Sequence, residues 1–278
     1  MIAVKVWRKV AFVTAALLAA LYIFPFFLVA INSFKPKSAI LKNALSLPVE
    51  FDLDNFEQAI KKMDYFQALT NSIIITVFSV LAIIVTSSML AYYLARKKTK
   101  LSKAIFLVLV ASMIVPFQSL MIPFIGLYGN KGPVAALDML SAHGLVFFYV
   151  GFGVAMCTFL YHGFISNIPF ELDEAAMIDG ASDFTVFRRI IFPMLTPVTA
   201  TVAILQALWI WNDFLLPSLV LVQESRTLPL STYIFYGMYS SNYGQAMAGL
   251  LLSVVPIIIF YFAMQKHIIA GISAGAVK

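Results

Sequence analysis

The chain has 278 residues and a formal net charge of +6, with 62% apolar and only 12% charged residues, against roughly 45–50% apolar in a soluble globular protein. That balance excludes a soluble domain, and the lack of a basic patch interleaved with aromatics excludes a nucleic-acid binder. The short alternating segments of a transmembrane β-barrel are not evident either.

A hydrocarbon core about 30 Å thick needs about 20 apolar residues per helix. Six runs reach that length, at about 10–31, 71–95, 104–127, 144–165, 197–222 and 244–265. The chain therefore reads as all-α, a polytopic protein of the lipid bilayer with about six transmembrane helices in a single membrane domain, residues 1–278. The first run is preceded by Lys5, Arg8 and Lys9, like the head of a signal peptide. It is too long for that segment, which runs about 7–15 residues, and no small-x-small cleavage site follows, so an uncleaved span is expected.

The residues between the runs set the orientation. Residues 32–70 form a long loop of mixed charge, with Lys35, Lys37, Lys42, Lys61 and Lys62 against Glu50, Asp52, Asp54, Glu57 and Asp64. The second connection carries Arg96, Lys97, Lys98, Lys100 and Lys103, whereas the next short loop holds Lys131. Lys and Arg concentrate in loops that stay in the cytoplasm, so both termini are expected there. Pro25, Pro116, Pro123, Pro217 and Pro256 fall inside or near the ends of spans. Neighbouring helices can satisfy the carbonyls they free, so they read as packing kinks, or as breaks beside a pathway. In the fourth run, Gly151 and Ala155 have the small-xxx-small spacing of close helix approach. Cys157, the single cysteine, reads as a small packing residue. His143, His162 and His267 form no metal-binding pattern, and no metal site is expected.

Between the fourth and fifth runs, at about 167–193, lies ELDEAAMIDGASDFTVFRR (Glu171 to Arg189), which holds five of the 13 acidic residues. It reads as two short helices. Pro169 suits a first turn, and Glu171, Asp173 and Glu174 complement the positive N-terminal end of a helix dipole. Asp179 and Gly180 end the first helix, Gly180 being able to adopt the left-handed conformation. Ser182 caps the second, with Asp183 in its first turn. Phe184, Phe187, Ile190 and Ile191 recur at helical spacing. The small Ala175 and Ala176 beside Glu174 let a partner surface approach, and an acid there can pair with a partner's basic residue. The plainer reading is a solvated connection that only packs on the membrane helices.

Asp213 is the acidic residue well inside a predicted span, where a charge costs roughly 2.5–3.5 kcal/mol on insertion scales. Helical spacing puts Trp209 on its face, and Asn212 adds an amide. These residues suit a sugar pathway, and equally a hydrogen-bonding hub between helices. Further on, Tyr233, Tyr236, Tyr239 and Tyr243 read either as a contact for an external partner or as an interfacial aromatic belt. No G-x-x-x-x-G-K-[ST] phosphate loop is present, so no cofactor is expected in this chain.

The pattern Glu174-Ala-Ala-x-x-x-Gly180-x9-Ile190-x-x-Pro193 resembles the EAA loop of permease subunits of binding-protein-dependent ABC importers. The likeness is to the carbohydrate-uptake class, with its maltose, multiple-sugar, raffinose-type and glycerol-phosphate relatives. Phe192 stands where the family usually has Leu before Pro. Ser33-Phe-Lys35, Ala91-Tyr-Tyr-Leu-Ala-Arg96, Trp211-Asn-Asp-Phe214, Thr227-Leu-Pro229 and the closing Ala270 to Lys278 also fit, in the family's order.

The resemblance implies a non-catalytic transport subunit that forms half of a translocation pathway with a second permease. Two cytoplasmic ATPase subunits would bind ATP and Mg. An extracytoplasmic binding protein would deliver the sugar, an oligosaccharide by this class. Glu174, Ala175, Ala176, Asp179, Gly180, Ile190 and Pro193 would form the ATPase-coupling loop, and the tail from Gly271 to Lys278 would reach toward the ATPases. A stand-alone ion-coupled carrier is the other class considered. It would place several ionisable groups in the membrane, where Asp213 is nearly alone. The same permease role for a glycerol phosphate is the remaining alternative.

Overall fold

The computed structural model describes residues 2–129, 131–236 and 242–276, with side chains within 7–265 of these. Among the described residues there are helices and no strands. In chain order the helices of six or more residues are α1 (Ile2–Ser33), α2 (Lys37–Lys42), α3 (Asp54–Lys62), α4 (Tyr65–Arg96), α5 (Lys100–Ser112) and α6 (Phe117–Tyr128). Then follow α7 (Ala142–Ile165), α8 (Glu171–Ile178), α9 (Asp183–Met194), α10 (Thr196–Asn212), α11 (Leu215–Val220) and α12 (Tyr243–Ala276).

Four of these, Trp7–Ser33, Tyr65–Arg96, Ala142–Ile165 and Tyr243–Gln265, are individually long and apolar enough to span a bilayer. Two of the six apolar runs depart from a continuous helix. The run expected at 104–127 is broken into α5 and α6, which meet at 102°. Val115 precedes Pro116 and is thereby biased away from helical geometry. The last turn of α5 tightens into i→i−3 bonds, from the N–H groups of Met113, Ile114 and Val115 to the carbonyls of Val110, Ala111 and Ser112. The run expected at 197–222 stops at Asn212, because Asp213 takes an extended conformation (ψ 133°), and a short α11 follows.

The chain divides into two compact units, one of residues 1–68 and 231–256, the other of 69–230 and 257–278. In the first unit, polar side chains pin the loop that follows α1. Asn55 donates from its buried amide to the carbonyls of Ser33 (3.1 Å) and Lys35 (2.9 Å). Asn32 donates to the carbonyls of Leu28 and Ala44, both at 2.8 Å. Lys35 is buried, and its ammonium reaches the carbonyls of Asn43 and Ala44 and the Ser46 hydroxyl; burial lowers its pKa from the ordinary lysine value. Gly244 makes room for this cluster, since a β-carbon there would sit 2.6 Å from the Asn55 amide nitrogen. Asn55→Ala leaves two buried carbonyls without their donor, a penalty of about 1–3 kcal/mol. We expect a lower Tm for the purified protein, measured by thermal unfolding in detergent.

In the second unit, α4, α7 and α10 form the core. Ile83, Tyr149, Cys157, Tyr161, Ile165 and Val202 are fully buried there. Gly153 allows the close approach, because a β-carbon would lie 2.7 Å from Ile83 and 3.1 Å from the Gln206 carbonyl oxygen. Cys157 packs in this core and accepts a hydrogen bond from the Gln206 amide at 3.1 Å. Gly151 has nothing within 4 Å of its β position, whereas Ala155 is buried. Both line a cavity of about 470 Å³ at the α5–α6 bend, among the rings of Phe117, Phe124, Tyr128 and Phe148.

Candidate functional site

The acidic stretch folds into α8, a turn at Gly180, and α9. Pro169 lies just ahead of the helix rather than in its first turn, because α8 begins at Glu171. The helix ends in a Schellman motif: the N–H of Ala181 donates to the Ala176 carbonyl and that of Gly180 to the Met177 carbonyl, both at 3.0 Å. That motif needs a left-handed residue at Gly180, whose φ is +85°. Ser182 caps α9 by accepting from the Thr185 N–H at 3.3 Å.

Within α9, Phe187–Ile191 widens into a π-helical turn, with the Phe192 N–H reaching back to the Phe187 carbonyl. Pro193 follows and has no N–H to return to the ladder. The chain then bends by 77° into α10. Phe187 and Ile191 are buried and Ile190 is half-buried, while Phe184 stays exposed.

The residues of this loop sort by face. Glu171, Glu174, Ala175 and Ile178 recur at helical spacing on the outer face of α8 and are exposed, Ile178 at 86%. Asp179, Gly180 and Pro193 are exposed as well, while Ala176 packs on the core of the second unit. The outer face of α8 thus combines acids with an uncovered branched apolar side chain.

The inner face holds what the sequence reading missed. Asp173 is fully buried. Its carboxylate accepts from the Tyr92 hydroxyl (2.8 Å) and from Arg96 through Nε (3.1 Å) and Nη2 (2.8 Å). Arg96 also donates from Nη1 to the Ile168 carbonyl at 3.2 Å, and its guanidinium lies 5.5 Å above the Phe170 ring. The fork geometry of arginine makes such bidentate pairs strong and directional. By contrast, Lys97 and Asp183 stand 3.7 Å apart with both side chains exposed, and a pair of that kind contributes little. A cavity of about 400 Å³ opens beside the buried pair, lined by Met89, Tyr93, Met177 and Phe184 among others.

Around the α10–α11 break, Tyr149 brings two of the expected pathway residues together. Its hydroxyl donates to the Asp213 carboxylate at 3.0 Å, and its ring meets that of Trp209 edge-on at 5.5 Å. Asp213 also accepts from the Leu215 N–H at 3.0 Å, satisfying an orphan donor at the start of α11. Asn212 is exposed, and its amide turns back to the Leu208 carbonyl at 2.8 Å. Asp213 therefore sits at a helix break, half-buried, and not on a continuous helical face with Trp209.

His143 contacts Ser141, and His162 packs on Phe106 at 4.3 Å. No group of three His, Cys, Asp or Glu side chains suited to a metal occurs among the described residues. Tyr233 and Tyr236 are exposed with rings 5.9 Å apart, and Tyr243 is exposed at the start of α12. Tyr239 and the side chains of His267 and of the tail from Gly271 lie outside the described residues.

Residues 83–274 match the sequence profile described as "Binding-protein-dependent transport system inner membrane component". The chain is 45% identical to the probable starch degradation products transport system permease protein AmyC of Thermoanaerobacterium thermosulfurigenes, over 94% of this chain and 93% of that one. It is 37% identical to the multiple sugar-binding transport system permease protein MsmG of Streptococcus mutans, over 98% and 96%. The melibiose/raffinose/stachyose import permease protein MelC of Bacillus subtilis is 36% identical, over 95% and 94%. In fold it resembles a chain of a bacterial ABC transporter for import of the acidic polysaccharide alginate, with a TM-score of 0.74 at 20% identity, covering 94% of this chain and 96% of that one.

Proposed function

Since the chain belongs to the family of binding-protein-dependent transport system inner membrane components, we propose that it forms one half of the membrane pathway of an ATP-driven oligosaccharide importer. It is a permease subunit of a sugar ABC importer, a transport component of the membrane. The ion-coupled carrier is set aside by this membership.

In the complex proposed here, a second permease completes the pathway. Two ATPase subunits bind ATP and Mg on the cytoplasmic side, where the Lys and Arg bias also puts both termini. An extracytoplasmic protein hands over the sugar. The observation that carries the mechanical role is the outer face of α8, on which Glu174 and Ile178 project from a helix whose inner face is fixed. Glu174 is assigned to a basic residue in an ATPase cleft, and Ala175 lets the cleft wall come near. Gly180 supplies the bend, while Ile190 and Pro193 carry the chain back toward α10. Trp209 and Asp213 are assigned to the rim of the sugar path, at the helix break, where irregular backbone at membrane depth is tolerated beside a water-filled cavity.

Purification of the chain with its co-assembling subunits and reconstitution in lipid vesicles tests this reading. ATP hydrolysis and uptake are expected to rise together only when the binding protein carries an oligosaccharide. Hydrolysis indifferent to every sugar and to the binding protein, in a complex that contains all subunits, would refute it.

A further inference from the structure

The geometry points to α4 as the membrane helix that α8 drives, with Asp173, Arg96 and Tyr92 as positioning residues forming the joint between them; this rests on the assignment of α8 to ATPase docking. Along the chain α7 precedes α8, and α9 and then α10 follow it, so force could simply follow the covalent backbone. Toward α10 that route is compliant. It passes Gly180, with φ +85° and nothing within 4 Å of its β position, then a π-helical turn, then a 77° bend.

The route to α4 is short and stiff. Arg96 is the last residue of a 32-residue helix, and Tyr92 lies one turn before it on the same face. Together they place three donors on a single carboxylate in the first turn of α8. The same guanidinium holds the Ile168 carbonyl and covers Phe170, so it grips the start of α8 at three points. The pair is buried, with Arg96 10% and Asp173 0% exposed at the side chain. Pulling it apart leaves an uncompensated buried charge, so it resists separation far better than an exposed pair. Adjacent acids on α8 thus divide the work: Glu174 faces out toward the ATPase, and Asp173 faces in toward α4.

The test uses the whole complex in lipid vesicles and measures sugar imported per ATP hydrolysed, counted only over assembled complexes. Asp173→Asn keeps the size of the side chain and removes its charge. We expect this variant to hydrolyse ATP without the loaded binding protein and to import about tenfold less sugar per ATP, within the usual range of coupling free energies between sites. A residue needed only for folding would lower the yield of complexes and leave that ratio alone. An Asp173→Asn complex with the parent ratio therefore overturns the proposal.

A second measurement does not depend on that variant assembling. With cysteines at Tyr93 and Met177, which both line the cavity beside the joint, a short thiol cross-linker ties α4 to α8 in a chain whose ion pair is intact. Transport should continue, because the two helices already move as one body. Arrest on linking would overturn the joint. A parent complex with no ATP-dependent uptake at all would instead overturn the importer reading, so the two failures are distinguishable.

Discussion

Glu174→Lys is expected to abolish uptake while leaving the chain folded and inserted in the membrane. Glu174 is exposed and makes no ion pair among the described residues, so its replacement removes no intrachain contact of that kind. Surface changes of this sort usually stay within about 0.5 kcal/mol, and placing a lysine near the positive end of α8 adds a penalty of about 0.3–1 kcal/mol. The partner surface is a different matter. Losing one member of a desolvated interfacial charge pair costs about 2–5 kcal/mol, and a like charge in its place costs several more. A basic residue facing a new basic residue should release the ATPase. The measurement is co-purification of the ATPase with tagged chain, alongside uptake in whole cells. Full recovery of the ATPase with normal uptake would remove Glu174 from the docking surface.

The second large effect is expected at the helix break. Asp213→Ala takes the acceptor from the Tyr149 hydroxyl, whose residue is fully buried, and from the Leu215 N–H that opens α11. Hydrogen bonds to a charged group contribute about 1.5–3 kcal/mol each, so loss of both should lower the thermal midpoint more than any single exposed change. Tyr149→Phe removes one of the two and should be milder, about 1.5–3 kcal/mol. Asp213→Asn separates an anchor from a sugar ligand, since its amide oxygen can still accept from the Leu215 N–H while its NH2 donates to the Tyr149 hydroxyl oxygen. If Asp213 only anchors, this variant keeps both stability and sugar selectivity. If it also lines the path, stability holds while the apparent KM or the order of preferred sugars shifts. Thermal unfolding in detergent and competitive uptake of several oligosaccharides give the two readouts. An Asp213→Ala protein as stable as the parent would show that the break needs no anchor.

The two-helix geometry of the acidic stretch was legible because its signals are local. A glycine after an apolar helix end, and a serine three residues before an N–H in need of an acceptor, specify their bonds within a single turn. The Gly180 and Ser182 geometry follows from that. Long apolar runs likewise announced α1, α4, α7 and α12. The two breaks were harder to read, because a hydropathy window counts apolar residues without asking whether their backbone runs straight. Pro116 marked one break, but as one of five prolines that read as kinks or as breaks it did not single out its own position. Asp213 marked the other, but a carboxylate in an apolar run says that a partner exists, not that the helix stops to meet it.

The Arg96–Asp173 pair was out of reach for a different reason. Glu171, Asp173 and Glu174 all sit in one first turn, and helix dipole arguments treat them alike. Which of the three turns inward is decided by the packing of α4, 77 residues away in the chain. Arg96 was visible, but its charge was fully accounted for by topology.

The span of α1 from Trp7 to Ser33 has an apolar stretch that is not buried against the other described residues. Trp7, Phe12, Leu17, Leu21 and Phe26 are each at least 64% exposed. Such a segment takes its lateral contacts from outside the chain, from lipid tails or from another subunit, so hydrophobicity and not intrachain packing holds it in the bilayer.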